Sequence, residues 1–217
     1  MVKLVIFDWD GTLFDSIAGI CNSMLEAGAR VDAPKRHFDD IKNIIGLSLD
    51  TAVQTVWPEL DDAHRTRLTE HYKQIYVDQD QTPPNAYDGV FELLETLRQS
   101  GLALAVATGK TRRGLNRVMG LTKTNDFFTT SRCADEALSK PHPLMLEQIL
   151  EELELTPDDA IMIGDTEYDL NMATNAGMRS VGVTYGAHHQ ERLQACNPHA
   201  IINDIRQLTS ILGLTKQ

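Results

Sequence analysis

Five short runs set the pattern of this chain: KLVIF (3–7), LALAV (102–106), AIMI (160–163), SVGV (180–183) and AII (200–202). Each is apolar almost without interruption. A strand with one wet face alternates apolar and polar residues, whereas a strand buried on both faces does not. Helical spacing fills several of the gaps. Val90, Leu93, Leu94 and Leu97 recur at i, i+3, i+4 and i+7, and Gly101 follows where a C-terminal cap is expected. Leu146, Ile149, Leu150 and Leu153 repeat the spacing behind Pro143, a residue suited to the first position of a helix. Strands alternating with helices predict an α/β fold: a doubly wound, Rossmann-like, mostly parallel sheet covered on both faces.

One stretch breaks the alternation. Between Ser16 and Asn85 no convincing strand occurs. Ile17, Ile20, Cys21 and Met24 have helical spacing, further helical runs follow near 38–45, 48–56 and 60–78, and Pro83-Pro84 closes the segment. The expectation is an inserted α-helical cap domain over 16–85, set into a core made of 1–15 and 86–217. Segments 15–20 and 82–88 would be its hinges.

Charge narrows the function. The 217 residues carry 31 acidic and 20 basic side chains, a formal net charge of −11. Such a surface repels a phosphate backbone, so no nucleic-acid partner is expected. A local lysine or a metal ion can still override that field for a small phosphorylated molecule. The N-terminal apolar run is too short for a leader and ends in acids, and no run of about 18 apolar residues could span a membrane. Cys21, Cys133 and Cys196 lie far apart with no C-x-x-C, which reads as free thiols in a reducing, cytoplasmic setting. A monomer and a homodimer are both compatible with the pattern.

The chemistry gathers where the apolar runs stop. KLVIF ends in Asp8-Trp9-Asp10, LALAV in Ala107-Thr108-Gly109-Lys110, and AIMI in Gly164-Asp165 with Asp169 beyond. In an open parallel sheet, ligands bind outside the carboxyl ends of the strands. If these strands are neighbours, several carboxylates and a hydroxyl meet at one edge. They cannot all stay ionised without a cation. Mg²⁺, a hard ion that takes oxygen ligands, satisfies that need. On an extended chain Asp8 and Asp10 share a face. A helix starting directly after AIMI would stack Asp165 and Asp169 on its first turn, where the helix dipole favours ionisation.

Each residue also has a plain reading. Asp8 fits a strand-ending turn, Asp165 and Thr108 fit helix caps, and Lys140 fits a solvated loop lysine. Lys110, Arg112 and Arg113 read as a solvated helix start. His142 reads as a loop histidine, and His188-His189 lacks the spacing of a metal site. What raises the odds for chemistry is that acids, hydroxyl and lysine occur in one order along one architecture.

With these motifs in place, the chain resembles the haloacid dehalogenase-like hydrolases. The resemblance rests on DWDGTLFDS (8–16), ATGK (107–110), SKPHP (139–143) and GDTEYDL (164–170), and the helical insertion resembles the small cap of the phosphoglycolate phosphatase and β-phosphoglucomutase branch. It implies that Asp8 is a nucleophile forming an aspartyl-phosphate, and that Asp10 protonates the leaving group and then activates water. It implies that Thr108 binds a phosphoryl oxygen and that Lys140 balances charge. Asp8, Asp165 and the backbone carbonyl of Asp10 would ligate Mg²⁺, with Asp169 behind them. Gly11 and Gly109 would border the phosphoryl group, and Gly46 and Ser48 of the cap would approach the substrate.

The reaction expected is hydrolysis of a small phosphorylated metabolite, such as a phosphoglycolate-like or sugar phosphomonoester. A phosphosugar mutase of the β-phosphoglucomutase type is the alternative. Leu47 stands where such mutases carry Arg in Gly-x-Ser-Arg, and Gly164-Asp165 where they tend to show Glu-Asp; both departures favour hydrolysis. Asp10 argues against a dehalogenase and against phosphonate cleavage using Lys35 or Lys42. A non-catalytic binding protein would be expected to have lost at least one of these groups.

Overall fold

The computed structural model describes residues 1–80 and 82–214. Residues 215–217, placed in the core by the sequence reading, lie outside the described residues, as does Gln81 within the insertion.

In chain order the elements are β1 (Leu4–Phe7), β2 (Phe14–Asp15), α1 (Ile17–Arg30), α2 (Phe38–Lys42), α3 (Leu49–Val56) and α4 (Asp62–Tyr72). A π-helical continuation, Lys73–Gln79, leads to β3 (Asn85–Ala86), α5 (Val90–Gln99), β4 (Ala103–Thr108), α6 (Arg112–Thr122) and β5 (Thr130–Cys133). Then come α7 (Leu144–Glu152), β6 (Ala160–Gly164), α8 (Glu167–Asn175), β7 (Arg179–Val183), α9 (Gln190–Ala195), β8 (Ala200–Ile202) and α10 (Leu208–Ile211).

Six strands form one sheet in the order β5-β4-β1-β6-β7-β8, with every pairing parallel. The chain runs outward from β1 through β4 to β5, then crosses back to β6 and runs outward the other way. That reversal opens a crevice at the carboxyl ends of β4, β1 and β6. Pleating explains the continuous apolar runs. Val5 and Phe7 pack with α5 and α6 residues such as Leu93 and Leu115. Leu4 and Ile6 pack on the other face with α7 residues such as Leu146 and Ile149.

One strand of the six-stranded sheet escaped the sequence reading, as did the two-residue strands β2 and β3. Thr130–Cys133 is an edge strand whose first three residues are only half-buried, so it carries no continuous apolar run. Its Arg132 pairs with Glu152 at 2.6 Å.

The helices α1 to α4 gather around their own cluster, which includes Cys21, Met24, Ile41, Val53, Trp57 and Leu68. The chain enters this unit through β2 and leaves it through β3, which pair antiparallel over Phe14↔Ala86 and Asp15↔Asn85. Between these two strands the described residues contain no further strand.

Candidate active site

The strand β1 ends buried, and the chain beyond it bends at Trp9 and turns from Gly11. Asp8 and Asp10 turn into the crevice while Trp9 between them is buried in the core, stacked on Phe14 with ring centroids 4.5 Å apart. Gly11 follows with φ +79°, a conformation open to glycine, and a Cβ there would stand 2.2 Å from Asp165 Oδ2. The turn therefore lets the β6 carboxylate reach the end of β1.

Asp165 is buried just beyond β6. Its Oδ1 accepts from Thr12 Oγ1 at 2.8 Å and its Oδ2 from the Ala187 amide at 2.7 Å. The stacking expected on the first turn of α8 does not occur. Thr166, not Asp165, caps that helix, so Asp165 precedes it and only Asp169 lies on it. The two acids nevertheless converge. Carboxylate oxygens of Asp8, Asp165 and Asp169 all lie within 4.8 Å of one another, and all three residues are buried.

Lys140, read from the sequence as a possible solvated loop residue, is 2% exposed. Its Nζ lies 2.6 Å from Asp169 Oδ1 and 2.8 Å from Asp8 Oδ1. The approach to Asp169 is a well-formed hydrogen bond; that to Asp8 is an ion-pair contact without hydrogen-bond alignment. Asp169 is fully committed, since its Oδ2 also accepts from the Thr166 amide and hydroxyl. Asp8 is the reverse: both of its oxygens are buried, Oδ1 meets the Lys140 ammonium, and no backbone or hydroxyl donor among the described residues reaches either.

The electrostatics follow from this crowding. Burial raises the Asp8 carboxyl well above the usual carboxylate range; Lys140 opposes the shift, and Asp169, Asp165 and Asp10 reinforce it. Burial, then Asp169, lifts Asp165 to about 7 against the pull of its two donors and Lys140. Burial alone would lower the Lys140 ammonium, but Asp169 and Asp8 raise it, so it stays charged. Three acids face one ammonium. That donor set, with Oδ2 of Asp8 bare, fits a hard divalent cation such as Mg²⁺.

The end of β4 supplies a second lysine. Thr108 is buried, and its hydroxyl accepts from the Lys110 amide at 3.2 Å, which leaves its proton to donate. Lys110 corrects the reading of a solvated helix start: its side chain is 8% exposed and its Nζ lies 2.9 Å from Asp10 Oδ1. The Lys110 ammonium also stands 5.1 Å from the centroid of the Tyr76 ring. Ser16 donates to the same Asp10 oxygen. Among the described residues, no donor reaches Asp10 Oδ2. The missed signal was position: a lysine two residues past Thr108 at a strand end that converges on Asp10. Arg112, by contrast, is spent on Glu136 and Ser131.

The insertion closes over these strand ends. A Cβ on Gly109 would stand 2.5 Å from the Leu47 carbonyl and 2.6 Å from that of Gly46, so only glycine admits the cap loop here. The Ser48 amide donates to Ser139 Oγ at 2.9 Å. Its hydroxyl caps α3, accepting from the Thr51 amide at 3.3 Å, rather than facing the crevice. On the opposite side Tyr168 donates to the Asn43 carbonyl at 3.0 Å. His188, set aside as a metal ligand, is held there too: its Nδ1 accepts from the Glu167 amide, so its Nε2–H donates to the same carbonyl at 3.1 Å.

Between cap and strand ends lies a cavity of about 80 Å³, bordered by Asp10, Gly46, Gly109 and Lys110. Of the predicted site residues, the structure thus brings Asp8, Asp165, Asp169 and Lys140 into one buried cluster. It places Asp10, Gly46 and Gly109 on the cavity wall, Gly11 against Asp165, and Ser48 outside that wall.

The family model described as haloacid dehalogenase-like hydrolase matches residues 5–183. This chain belongs to that family. It is 33% identical over 96% of its length to a "Probable phosphatase IndB" of Dickeya dadantii, 92% of which is covered. It is 29% identical to a phosphoglycolate phosphatase of Vibrio vulnificus, over 97% of this chain and 96% of the relative. A crystal structure of a predicted phosphatase from Clostridium acetobutylicum superposes with a TM-score of 0.89 at 28% identity, covering 99% of this chain and all of that one. Among the described residues no helix is long and apolar enough to cross a membrane.

Proposed function

We propose that this hydrolase is a Mg²⁺-dependent phosphatase that cleaves a small phosphomonoester through an aspartyl-phosphate on Asp8. The observation that carries the reading is the buried carboxylate of Asp8, with its Oδ1 against the Lys140 ammonium and its Oδ2 without a donor among the described residues. An oxygen without a donor keeps its lone pairs for attack, and the adjacent ammonium offsets the repulsion of an incoming phosphate.

In the first half-reaction Asp8 attacks phosphorus and the bond to the ester oxygen breaks. Thr108 donates its hydroxyl proton to a phosphoryl oxygen as a hydrogen bond. Asp10 gives a proton to the departing oxygen through Oδ2, while Lys110 and Ser16 hold Oδ1. In the second half-reaction Asp10 takes a proton from water, the water oxygen bonds phosphorus, and the Asp8–phosphorus bond breaks. Asp8, Asp165 and the Asp10 carbonyl would hold Mg²⁺, with Asp169 steadying Lys140 behind them. When bound, the ion screens the charge of nucleophile and phosphate. Residues 16–85 act as the cap that excludes water from the crevice.

The test is phosphate release from a panel of phosphorylated metabolites, run with Mg²⁺, with chelator and with Asp8→Asn. A Mg²⁺-dependent hit should vanish in the variant, and a phosphoryl adduct on Asp8 should be trapped by rapid quench and mass spectrometry. Equal rates for wild type and Asp8→Asn would end the covalent reading.

A further inference from the structure

The cavity beside Asp10 is where a leaving group must sit, and its wall is nearly all apolar. The cap contributes Ile20, Met24, Ile45, Leu49 and the stacked pair Tyr72 and Tyr76, whose ring centroids are 5.5 Å apart. Both tyrosines are buried, and burial raises their hydroxyls, so both are neutral. Lys73 is the cap's one charged residue on the wall, and it is exposed.

The cations on the core side are already committed. Lys110 is held by Asp10 at 2.9 Å. Arg117 lies with its guanidinium carbon 5.6 Å from the Tyr76 centroid and donates through Nη1 to the Asp80 carbonyl. Lys42 and Arg112 do not border the cavity. A second carboxylate or phosphate on the leaving group would thus lose its water with no paired fork of donors to receive it. Arg117, which borders the cavity, keeps a buried Nε without an acceptor among the described residues.

We propose that the physiological leaving group is an uncharged, apolar alcohol. This rests on the phosphatase reading above and adds the substrate class. The cavity of about 80 Å³ admits roughly five to eight non-hydrogen atoms, at ~10–15 Å³ for each water-sized position. A short branched chain or one ring fits. Glycolate and a second phosphate match the size but not the wall.

The experiment compares kcat/KM for ethyl, propyl and butyl phosphate, whose alcohols have similar acidity, with phosphoglycolate and pyrophosphate. Each added methylene should raise kcat/KM about 4-fold, the worth of burying one at ~0.8 kcal/mol. Butyl phosphate should exceed phosphoglycolate and pyrophosphate by at least about 10-fold. Ala52→Leu, which adds bulk at the wall, should lower the butyl-to-ethyl ratio. A flat or falling alkyl series, or a 10-fold preference for either anionic substrate, overturns the inference while leaving a phosphatase. Calorimetry on Asp8→Asn with Mg²⁺ reads binding without turnover. Tightening from ethyl to butyl phosphate by about 15-fold, two methylenes' worth, supports the inference, and equal affinity overturns it. If wild type releases no phosphate from any ester, the phosphatase reading itself fails, whatever the binding series shows.

Discussion

The two sides of the crevice are built from opposite materials. On the sheet side, Asp8, Asp165, Asp169 and Lys140 are buried within contact of one another. On the cap side the wall is aliphatic and aromatic, and the hydroxyl nearest in sequence, that of Ser48, is turned to its own helix. Charge is costly to bury and is tolerated where it meets charge. Its concentration on one side therefore marks where a phosphoryl group is handled. The cap side reads chiefly shape and hydrophobicity. The proposed function assigns chemistry to the strand ends and discrimination to the cap.

The largest effect that sharpens this division is expected at Asp10, the residue that touches both sides. Asp10→Asn should slow kcat by roughly 10²–10⁴-fold, the usual contribution of a general acid–base group. Because the same residue serves both half-reactions, single-turnover kinetics should show formation and hydrolysis of the adduct both slowed. Loss of only one step would separate the roles assigned to it.

Next comes Lys110. Lys110→Met removes a charge-assisted contact worth about 1.5–3 kcal/mol, or about 10–100-fold in kcat/KM. The loss should be similar for every substrate, because Lys110 orients Asp10 rather than reading the leaving group. A loss confined to one substrate would move Lys110 to the discriminating side.

A smaller effect concerns stability. Burial first, then Asp169, raises Asp165 from 3.8 to about 7. A raised carboxyl stabilises the fold below its unfolded value and loses that contribution as pH rises through about 7. With chelator present, the Tm of wild type should therefore fall relative to Asp165→Asn as pH rises from 4 to 7. Mg²⁺ should restore the wild type and leave the variant unmoved. Thermal unfolding with and without the ion checks both arms, and parallel pH profiles would show that the acids are not in tension.

The smallest effect is expected at Ser48. Its hydroxyl caps α3, so Ser48→Ala should cost about 1 kcal/mol of stability and leave the ranking of substrates as it was. A reordered ranking in the release panel would bring Ser48 back to the substrate.

Much of the catalytic side was legible in the sequence. Asp8, Asp10, Thr108, Lys140, Asp165 and Asp169 all sit at the ends of continuous apolar runs or in short motifs with fixed spacing, and local pattern carries such information. Lys110 was not legible, because a lysine after a strand is ordinarily solvated. Its burial depends on Asp10 and Tyr76, distant in the chain. The strand Thr130–Cys133 was missed for a related reason: an edge position relaxes the demand for apolar residues. The place of Asp165 ahead of α8 was also beyond local reading, because Thr166 and Asp165 are both good caps.

By itself the sequence determined the parallel sheet, the helical insertion and the set of groups offered at the strand ends, since burial on two faces and strand-end position leave periodic and positional marks. Only the tertiary structure decided which lysine meets which acid, that Asp8 is left without backbone or hydroxyl donors, and that the wall opposite Asp10 is largely apolar. Those are pairings across the sheet and between sheet and cap. They depend on strand order and on the seating of the cap loop at Gly109, and neither leaves a mark in the local spacing of residues.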